Sequence, residues 1–478
     1  MMDAGLVVAS NRGPVSWRRA DDGTLEPARG FGGLVTALGG ALQEEPGTWV
    51  SVALDAEAGE VAARHDPEPF TEEVDGQRFR LRLLEAGDRY DPYYNVVSNR
   101  LLWFTLHELW GEPYEPSGRG WRDAWEDGYA RVNHEVAAAI VDVAADDQAV
   151  FLQDYHLCLV AERVRQARPD VPILHYIHTP WVGPGALRRL PDPIAEGVVR
   201  GLLAADVVAF SAPAWADAFR ACARELLGAQ IDGEDVRHDG RRTRVADFVL
   251  GVDGDDLAAS AQEAATTEAA ERLEAEADGR ALLLRVDRSD LSKNILRGLH
   301  AYELLLEREP DLATRVWHYA HINPSRQEVE EYHDYLQNCR DAAERIAQRF
   351  GEDCITFSVT DDYPRAVAAL GRYDVLLTNP VIDGTNLVAK EGPALNTNDG
   401  ALVLSRTAGC APVMGDGALL VNPYDVEQTA DALHCALTMG AEERAARAAT
   451  LGEAARAGDP ASWLAAQRKV LAEVVDQR

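Results

Sequence analysis

The chain has 478 residues, of which 46% are hydrophobic, and a formal net charge of −32 at pH 7. This length exceeds a single hydrophobic core and predicts two or three domains. The acid excess argues against nucleic-acid and anionic-membrane partners, since such surfaces repel it. Lysine occurs only at Lys293, Lys390 and Lys469, so an anionic substrate needs a local site built largely from arginine.

The cysteines and the first residues bear on the compartment. The six cysteines are scattered without a CxxC pair, which favours buried, reduced thiols over a disulfide framework. The chain enters a strand-like segment at Leu6–Ser10 without a basic leader, and no uninterrupted run of about 18 apolar residues follows. We therefore expect a cytoplasmic protein.

Strand-like apolar runs alternate with helical patterns from the start of the chain, which indicates an α/β fold. The first run is followed by a turn with one cation, Arg12, at its tip. Two later runs, at residues 149–152 and 172–177, end in polar segments that contain Asp154 and His178. Two successive strands that deliver polar groups to one sheet edge suggest a cleft, although a histidine after a strand is more often structural.

Two other segments of the first half have ligand-binding character. The glycines of residues 29–34, including Gly32 and Gly33, allow close backbone approach to a ligand before an Ala-rich helical segment, although a flexible loop is the simpler interpretation. Aromatic residues crowd between residues 90 and 125 and include Tyr94 and Trp103. Such side chains suit sugar rings, but we expect most of them to lie in the core.

We place a domain boundary near Gly251, where a strand-like segment gives way to a polar, Ala/Glu-rich helical pattern over residues 258–277. The predicted domains are residues 1–250, residues 251–455 and a closing helical segment, residues 456–478, whose return to the first domain stays open. The acidic triplet at residues 253–255 matches a DxD motif formally, but its position favours a solvated turn.

The second half repeats the alternation and places cations after its strands. Arg288 and Lys293 flank a strand-to-helix turn, where a guanidinium and an ammonium can converge on a pyrophosphate. Another helix is predicted to begin at Leu387 with Asn386 as its N-cap, which leaves backbone N–H groups to bind a phosphate. Pro393 should kink or end that helix.

An ordered series of motifs extends over nearly the whole chain. It consists of Ser10-Asn11-Arg12, Tyr93-Tyr94-Asn95, Asp154-Tyr155-His156, His178-Thr179-Pro180, Arg288 with Lys293, Pro324-Ser325-Arg326 and Asp383-Gly384-Thr385-Asn386-Leu387-Val388-Ala389-Lys390-Glu391. The series resembles that of the trehalose-6-phosphate synthase family, retaining glycosyltransferases of family 20. The resemblance implies an α/β fold of the GT-B type, with two Rossmann-like domains facing each other across a cleft.

The resemblance also implies roles for individual residues. The catalytic set is Asp154, His178, Arg288, Lys293 and Asp383. The donor-binding set is Gly32, Gly33, His178, Arg288, Lys293, Asp383, Asn386, Leu387, Val388 and Glu391. The acceptor-binding set is Arg12, Tyr94, Trp103, Asp154 and Arg326. No metal and no cofactor is implied, since Arg288 and Lys293 would supply the positive charge that the departing diphosphate needs.

The implied reaction moves glucose from a nucleoside-diphosphate glucose to glucose-6-phosphate and gives α,α-trehalose-6-phosphate. Departures from the family pattern at Ile382, Leu291 and Asn294 surround the donor, so the choice between GDP-glucose and UDP-glucose stays open. Alternatives are a relative with another phosphorylated acceptor, such as a glucosylglycerol-phosphate synthase, a pseudo-glycosyltransferase, or a silent sugar-nucleotide sensor. The expected partners are these small molecules, and a homo-oligomer stays possible.

Overall fold

The computed structural model describes residues 5–30, 38–39, 42, 47–111, 120–327 and 329–478. The chain forms two compact units. The first unit is Met1–Val249 together with Pro460–Arg478, and the second unit is Leu250–Asp459. Within the described ranges, every helix is too short or too polar to cross a lipid bilayer.

The first unit is built on a ten-stranded sheet, with a separate two-stranded hairpin beside it in the described chain. Its strands are β1 (Leu6–Ser10), β2 (Val15–Arg19), β3 (Leu25–Arg29), β4 (Thr48–Val52), β5 (Phe70–Val74), β6 (Gln77–Leu84), β7 (Ala149–Gln153), β8 (Ile173–Ile177), β9 (Val207–Phe210), β10 (Gln230–Asp232), β11 (Asp235–His238) and β12 (Arg241–Asp247). The large sheet has the order β10-β11-β12-β9-β8-β7-β1-β4-β6-β5. The strands from β12 to β6 pair in parallel, and antiparallel strands complete both edges.

This order places a topological switch point between β1 and β7. From β1 the chain builds outward through β4 and β6, and it then continues on the other side of β1 through β7, β8 and β9. In open α/β sheets, ligands bind beyond the carboxyl ends of the strands at such a point. The segments after β1 and β7, which contain Arg12 and Asp154, begin at this position.

Helices connect the strands of the first unit. The α-helices are Ala56–His65, Trp103–Leu106, Trp121–Asp123, Arg131–Val143, Val160–Ala167, Pro184–Leu187, Asp192–Leu202, Pro213–Leu227 and Pro460–Val475, and π-helical segments span Pro92–Leu102 and Ala124–Ala130. Short 3-10 turns lie at Gly87–Arg89 and Tyr155–Leu157. The last helix packs on the first unit through Trp463, whose buried ring meets Tyr176 edge-on at a centroid distance of 4.9 Å.

The second unit contains a six-stranded, fully parallel sheet. Its strands are β13 (Ala281–Arg288), β14 (Val316–Asn323), β15 (Ile355–Val359), β16 (Val375–Thr378), β17 (Ala401–Ser405) and β18 (Leu419–Val421). The order β15-β14-β13-β16-β17-β18 puts a second switch point between β13 and β16. Arg288 is the last residue of β13, and the segments after these two strands contain Lys293 and Asp383; all three residues were predicted to bind the donor.

Helices cover both faces of this sheet. They are Gly254–Ala261, Ala264–Ala277, Ile295–Arg308, Glu330–Phe350, Tyr363–Arg372, Val388–Leu395, Ala411–Met414, Val426–Thr438 and Ala441–Arg456, with 3-10 turns at Leu291–Lys293, Pro310–Thr314 and Glu352–Cys354. Successive side chains of β13 alternate between the two resulting cores, with Leu282 and Leu284 in one and Leu283 in the other. This double burial explains why the strand is a continuous apolar run in the sequence.

Several local predictions need correction or refinement. The helix expected over residues 258–277 is two helices, and Asp253 caps the first by accepting hydrogen bonds from the N–H groups of Asp255 and Asp256. The acidic triplet is thus a helix cap. The helix predicted to begin at Leu387 begins at Val388 and ends at Leu395, so it continues for two residues past Pro393. Five cysteines are buried, but Cys435 is exposed, contrary to the expectation for all six.

Candidate functional site

The cations of the second unit lie at the carboxyl edge of its sheet. Arg288 is the last residue of β13, and Lys293 closes the 3-10 turn that follows. Lys293 Nζ lies 2.5 Å from Asp383 Oδ2, in the loop after β16. The loops after two neighbouring strands therefore bring together an ammonium and a carboxylate that are 90 positions apart in sequence.

The ion pair controls the protonation of Lys293. Burial alone would lower the pKa of this amine, but the carboxylates of Asp383 and Asp287 outweigh burial, and the pKa is raised above 10.5. Arg288 opposes this effect, which indicates that the two cations are close enough to repel each other. An anion placed between the two cations would relieve that repulsion.

Asn386 makes two hydrogen bonds just before helix Val388–Leu395. Its Nδ2 donates to Asp383 Oδ2 over 3.2 Å, and its Oδ1 accepts a 3.0 Å hydrogen bond from the N–H of Ala389. The structure places the N-cap at Leu387, one residue later than predicted, and Asn386 binds the N–H of Ala389 from the position before the cap. Asn386 has φ +70°, a left-handed conformation that asparagine tolerates better than most residues. Leu387 follows as the N-cap, and Val388 is the first residue of the helix.

Glu391 is a carboxylate whose pKa is shifted by burial. It lies in the first turn of helix Val388–Leu395 and is partly buried. Burial raises its pKa to about 7. No charged partner opposes this shift. A neutral polar ligand that brings hydrogen-bond donors, such as a pair of hydroxyl groups, would stabilise the charged form.

Arg326 lies after β14 and is held by a buried carboxylate. Its Nη1 donates to Asp290 Oδ2 and to the hydroxyl of Tyr332, each over 2.8 Å. The Asp290 side chain is fully buried, and the guanidinium of Arg326 is 11% exposed. The same carboxylate lies 3.9 Å from Arg288. Neither Asp290 nor Tyr332 was among the predicted site residues.

Asn294 replaces the glycine that is usual at this position in the resembled family. It has φ +57° and ψ +36°, which is left-handed backbone, so the structure accounts for the family's glycine and for the tolerance of asparagine. Its Nδ2 donates to the carbonyls of Asn379 and Pro423 over 2.9 and 2.8 Å. The substitution therefore ties the turn that carries Lys293 to two other loops.

In the first unit, Asp154 and His178 lie at the ends of adjacent strands. Asp154 follows β7 with φ +70° and ψ 171°, a conformation essentially reserved for glycine. Its N–H donates to the carbonyl of Tyr176 over 2.7 Å, and its Oδ1 accepts from the N–H of His178 over 3.3 Å. The sheet therefore imposes a strained backbone on a carboxylate at its switch point, a feature that often accompanies function.

His178 is neutral throughout the physiological pH range. Burial, assisted by nearby His175, lowers its pKa to about 3. Its Nε2 lies 2.9 Å from Oε1 of the buried Gln153, so Nε2 carries the proton and Nδ1 is the acceptor. The indole of Trp463, from the last helix, lies 6.2 Å from the imidazole. His178 can thus bind a hydroxyl group, but it is a poor general acid.

The remaining acceptor candidates surround the end of β1. Arg12 is exposed, whereas the preceding Asn11 is buried and accepts a 2.9 Å hydrogen bond from the hydroxyl of Tyr93. Tyr93 and Tyr94 lie on a π-helical segment, a form of helix found frequently at functional sites. Tyr94 is partly buried and stacks on His156 with ring centroids 5.8 Å apart.

Most of the other aromatic residues form core, as predicted. Trp103 is 8% exposed and stacks on His107 with ring centroids 3.8 Å apart. The predicted donor residues Gly32 and Gly33 lie outside the described residues. Lys390 is fully buried and donates to the carbonyl of Leu250 over 2.9 Å, so this lysine supports the structure.

Comparisons with known proteins agree over nearly the full length. The family model for glycosyltransferase family 20 matches residues 4–473. The chain is 30% identical to the validamine 7-phosphate valienyltransferase of Streptomyces hygroscopicus subsp. jinggangensis, over 99% of this chain and 95% of that protein. It is 34% identical to the trehalose-6-phosphate synthase of Mycolicibacterium vanbaalenii, over 96% of this chain and 94% of that one.

Solved structures show the same fold. An alpha,alpha-trehalose-phosphate synthase (UDP-forming) from Burkholderia xenovorans, in complex with glucose-6-phosphate, has a TM-score of 0.83 at 27% identity, over 98% of this chain and 99% of that one. The predicted α/β class of the GT-B type, with two Rossmann-like units, is therefore confirmed. The chain belongs to glycosyltransferase family 20, the family of the trehalose-6-phosphate synthases.

Proposed function

We propose that the protein is a retaining glucosyltransferase that moves glucose from GDP-glucose or UDP-glucose to glucose-6-phosphate and forms α,α-trehalose-6-phosphate. The observation that carries this proposal is the position of Arg288 and Lys293 at the switch point of the second sheet, beside the loop that leads to helix Val388–Leu395. The leaving nucleoside diphosphate gathers negative charge as its bond to glucose breaks. Cations held in place beforehand stabilise that charge without reorganisation.

Other residues of the second unit would hold the rest of the donor. Asp383 and, from the first unit, His178 would bind glucose hydroxyls. The backbone at Asn386, Leu387 and Val388 would meet the phosphates or the nucleoside. Glu391 would accept hydrogen bonds from the ribose hydroxyls, which would stabilise its charged form against the effect of burial.

The acceptor would use mainly the first unit. Arg12 would bind the phosphate, Tyr94 and Trp103 would lie beside the sugar ring, and Asp154 would orient the hydroxyl that attacks. Arg326 of the second unit would be the other phosphate ligand. The glucose-6-phosphate bound in the Burkholderia xenovorans relative supports this class of acceptor.

We favour a front-face reaction in which a leaving phosphate oxygen accepts the acceptor's proton. The alternative is a double displacement with Asp154 or Asp383 as nucleophile. Oδ2 of Asp383 already accepts hydrogen bonds from Lys293 and Asn386, which lowers its nucleophilicity and favours the front-face path. Isolation of a glycosyl-enzyme with either aspartate modified would contradict it.

A pseudo-glycosyltransferase is the second candidate. The valienyltransferase relative, which aligns with 99% of this chain, supports it. The name of that relative describes transfer of a valienyl group to validamine 7-phosphate, so its acceptor is an amino cyclitol phosphate. Reaction of the same enzyme with glucose-6-phosphate and with an amino cyclitol phosphate, compared by product mass, separates the two candidates.

The deciding experiment measures release of GDP and UDP from their glucose conjugates, with and without glucose-6-phosphate. Release that depends on glucose-6-phosphate, with formation of trehalose-6-phosphate, supports the proposal. Arg288→Ala should lower kcat/KM on the order of a hundredfold, or about 3 kcal/mol, while the thermal melt stays unchanged. Arg308→Ala, which removes an exposed arginine paired with Asp431 in the same unit, is the matched control. Near-normal activity of Arg288→Ala would refute the assigned role.

A further inference from the structure

Asp290 connects the two groups of cations in the second unit. Its side chain is fully buried, and its two carboxylate oxygens have different partners. Oδ1 accepts from the N–H and the hydroxyl of Ser292, over 3.0 and 2.9 Å. It therefore fixes the 3-10 turn that ends in Lys293. Oδ2 accepts from Arg326 Nη1 over 2.8 Å and from the Tyr332 hydroxyl over 3.2 Å.

We propose that Asp290 is a positioning residue that ties recognition of the donor diphosphate to recognition of the acceptor phosphate. This inference rests on the proposed function, in which Lys293 and Arg288 meet the diphosphate and Arg326 meets the acceptor phosphate. One rigid carboxylate would set the positions of both anion-binding groups at once, because Oδ1 anchors the turn that ends in Lys293, while Oδ2 anchors Arg326 and lies 3.9 Å from Arg288.

The opposing explanation is that Asp290 only compensates excess positive charge. Both explanations account for a buried carboxylate beside two arginines, but they predict opposite effects of its neutralisation. If the carboxylate only compensates charge, its removal strengthens the binding of phosphates, since the remaining field becomes more positive. If it positions the cations, its removal weakens the binding of both ligands, because a charge-assisted hydrogen bond is lost on each side.

The test is calorimetric titration of the full chain with GDP or UDP and, separately, with glucose-6-phosphate. Asp290→Asn should weaken both affinities about tenfold. Tyr332→Phe removes a hydroxyl that binds Oδ2, and it should weaken the binding of glucose-6-phosphate but not that of the nucleotide. Ser292→Ala removes a hydroxyl that binds Oδ1, and it should weaken the binding of the nucleotide but not that of glucose-6-phosphate. Asp362→Asn is the matched control, since Asp362 caps helix Tyr363–Arg372 in the same unit.

Three results would overturn the inference. Stronger binding of either ligand by Asp290→Asn would show charge compensation, and weakening of only one ligand would show that the two sites are separate. If Asp290→Asn does not fold, equal effects of Tyr332→Phe and Ser292→Ala on both ligands would contradict the division between the two oxygens. Failure of the unmodified chain to bind either ligand would instead refute the proposed function, and the inference with it.

Discussion

Lys293 Nζ and Asp383 Oδ2 form a partly buried ion pair 2.5 Å long between the loops that follow two adjacent strands. The raised pKa of Lys293 keeps the amine charged through the neutral range. The stability that comes from the raised pKa of Lys293 is lost as the pH rises through that raised value. The pair therefore fixes the position of a positive charge at the carboxyl edge of the second sheet.

Substitution of either partner of this pair should expose their dependence on each other. We expect Lys293→Gln to lower kcat/KM on the order of a hundredfold, since it removes a cation from the leaving group. Asp383→Asn should also lower it. In the double variant, the loss of transition-state stabilisation should be about 1–3 kcal/mol smaller than the sum of the two single losses, measured as a double-mutant cycle on kcat/KM. Strictly additive losses would show that the two side chains act independently.

Glu391 should make stability depend on pH. Its pKa is about 7 in the folded chain, above the ordinary glutamate value of 4.5. Between these values the folded chain retains a proton that the unfolded chain releases, so stability falls as the pH rises from about 4.5 to about 7.

Denaturant titrations at several pH values would measure this effect. Glu391→Gln should be more stable than the unmodified chain at pH 8, on the order of 1–3 kcal/mol, and the difference should vanish towards pH 4.5. Glu442→Gln, at an exposed position in the second unit, is the control. A constant difference between Glu391→Gln and the unmodified chain would contradict the assignment.

Asp154 should show a trade-off between stability and activity. Because its φ and ψ suit glycine alone, Asp154→Gly relieves backbone strain of about 1–3 kcal/mol, less about 1 kcal/mol for the extra freedom of glycine in the unfolded chain. We expect Asp154→Gly to melt at a temperature equal to or above that of the unmodified chain, with little activity. Asp154→Ala is the matched control, since it removes the carboxylate but keeps the strain. Equal melting temperatures for the two variants would argue against strain.

A side chain at position 251, in place of Gly251, should lower the free energy of unfolding. An added Cβ would lie 2.6 Å from the carbonyl oxygens of both Ala457 and Gly458, and these backbone atoms cannot move aside cheaply. We expect Gly251→Ala to cost about 1–3 kcal/mol in the free energy of unfolding. Gly254→Ala, three residues later, places its Cβ no closer than 3.9 Å to a flexible arginine and should be nearly neutral. Similar losses in both variants would refute the steric explanation.

The strand ends were predictable because a buried parallel strand is a continuous apolar run and the polar residue after it is conspicuous. Arg12, Asp154 and Arg288 were found in this way, whereas Asp383 was assigned through the family resemblance. The sheet order was not predictable from those runs, since pairing of β1 with β7 and of β13 with β16 joins distant segments. Only this order shows that the candidate residues lie at switch points.

The connection between Asp290 and Arg326 was not predictable for a related reason. Asp290 has an ordinary local function, as the cap of a short turn, and nothing in the sequence distinguishes it from other capping aspartates. Its second partner is 36 positions away, on the neighbouring strand's loop. The backbone strain at Asp154 was also not predictable from the sequence, because aspartate rarely adopts this backbone conformation.

The assignment of Pro460–Arg478 to the first unit makes the two halves unequal as pieces of a polypeptide. Residues 250–459 form one uninterrupted insert within the first unit, so cutting the chain at a single position does not separate the two units. Because synthesis runs from the N-terminus, the second unit is made before helix Pro460–Val475, and the first unit gains its Trp463 contact only after the second unit has been made. An engineered first half would need residue 249 joined directly to residue 460.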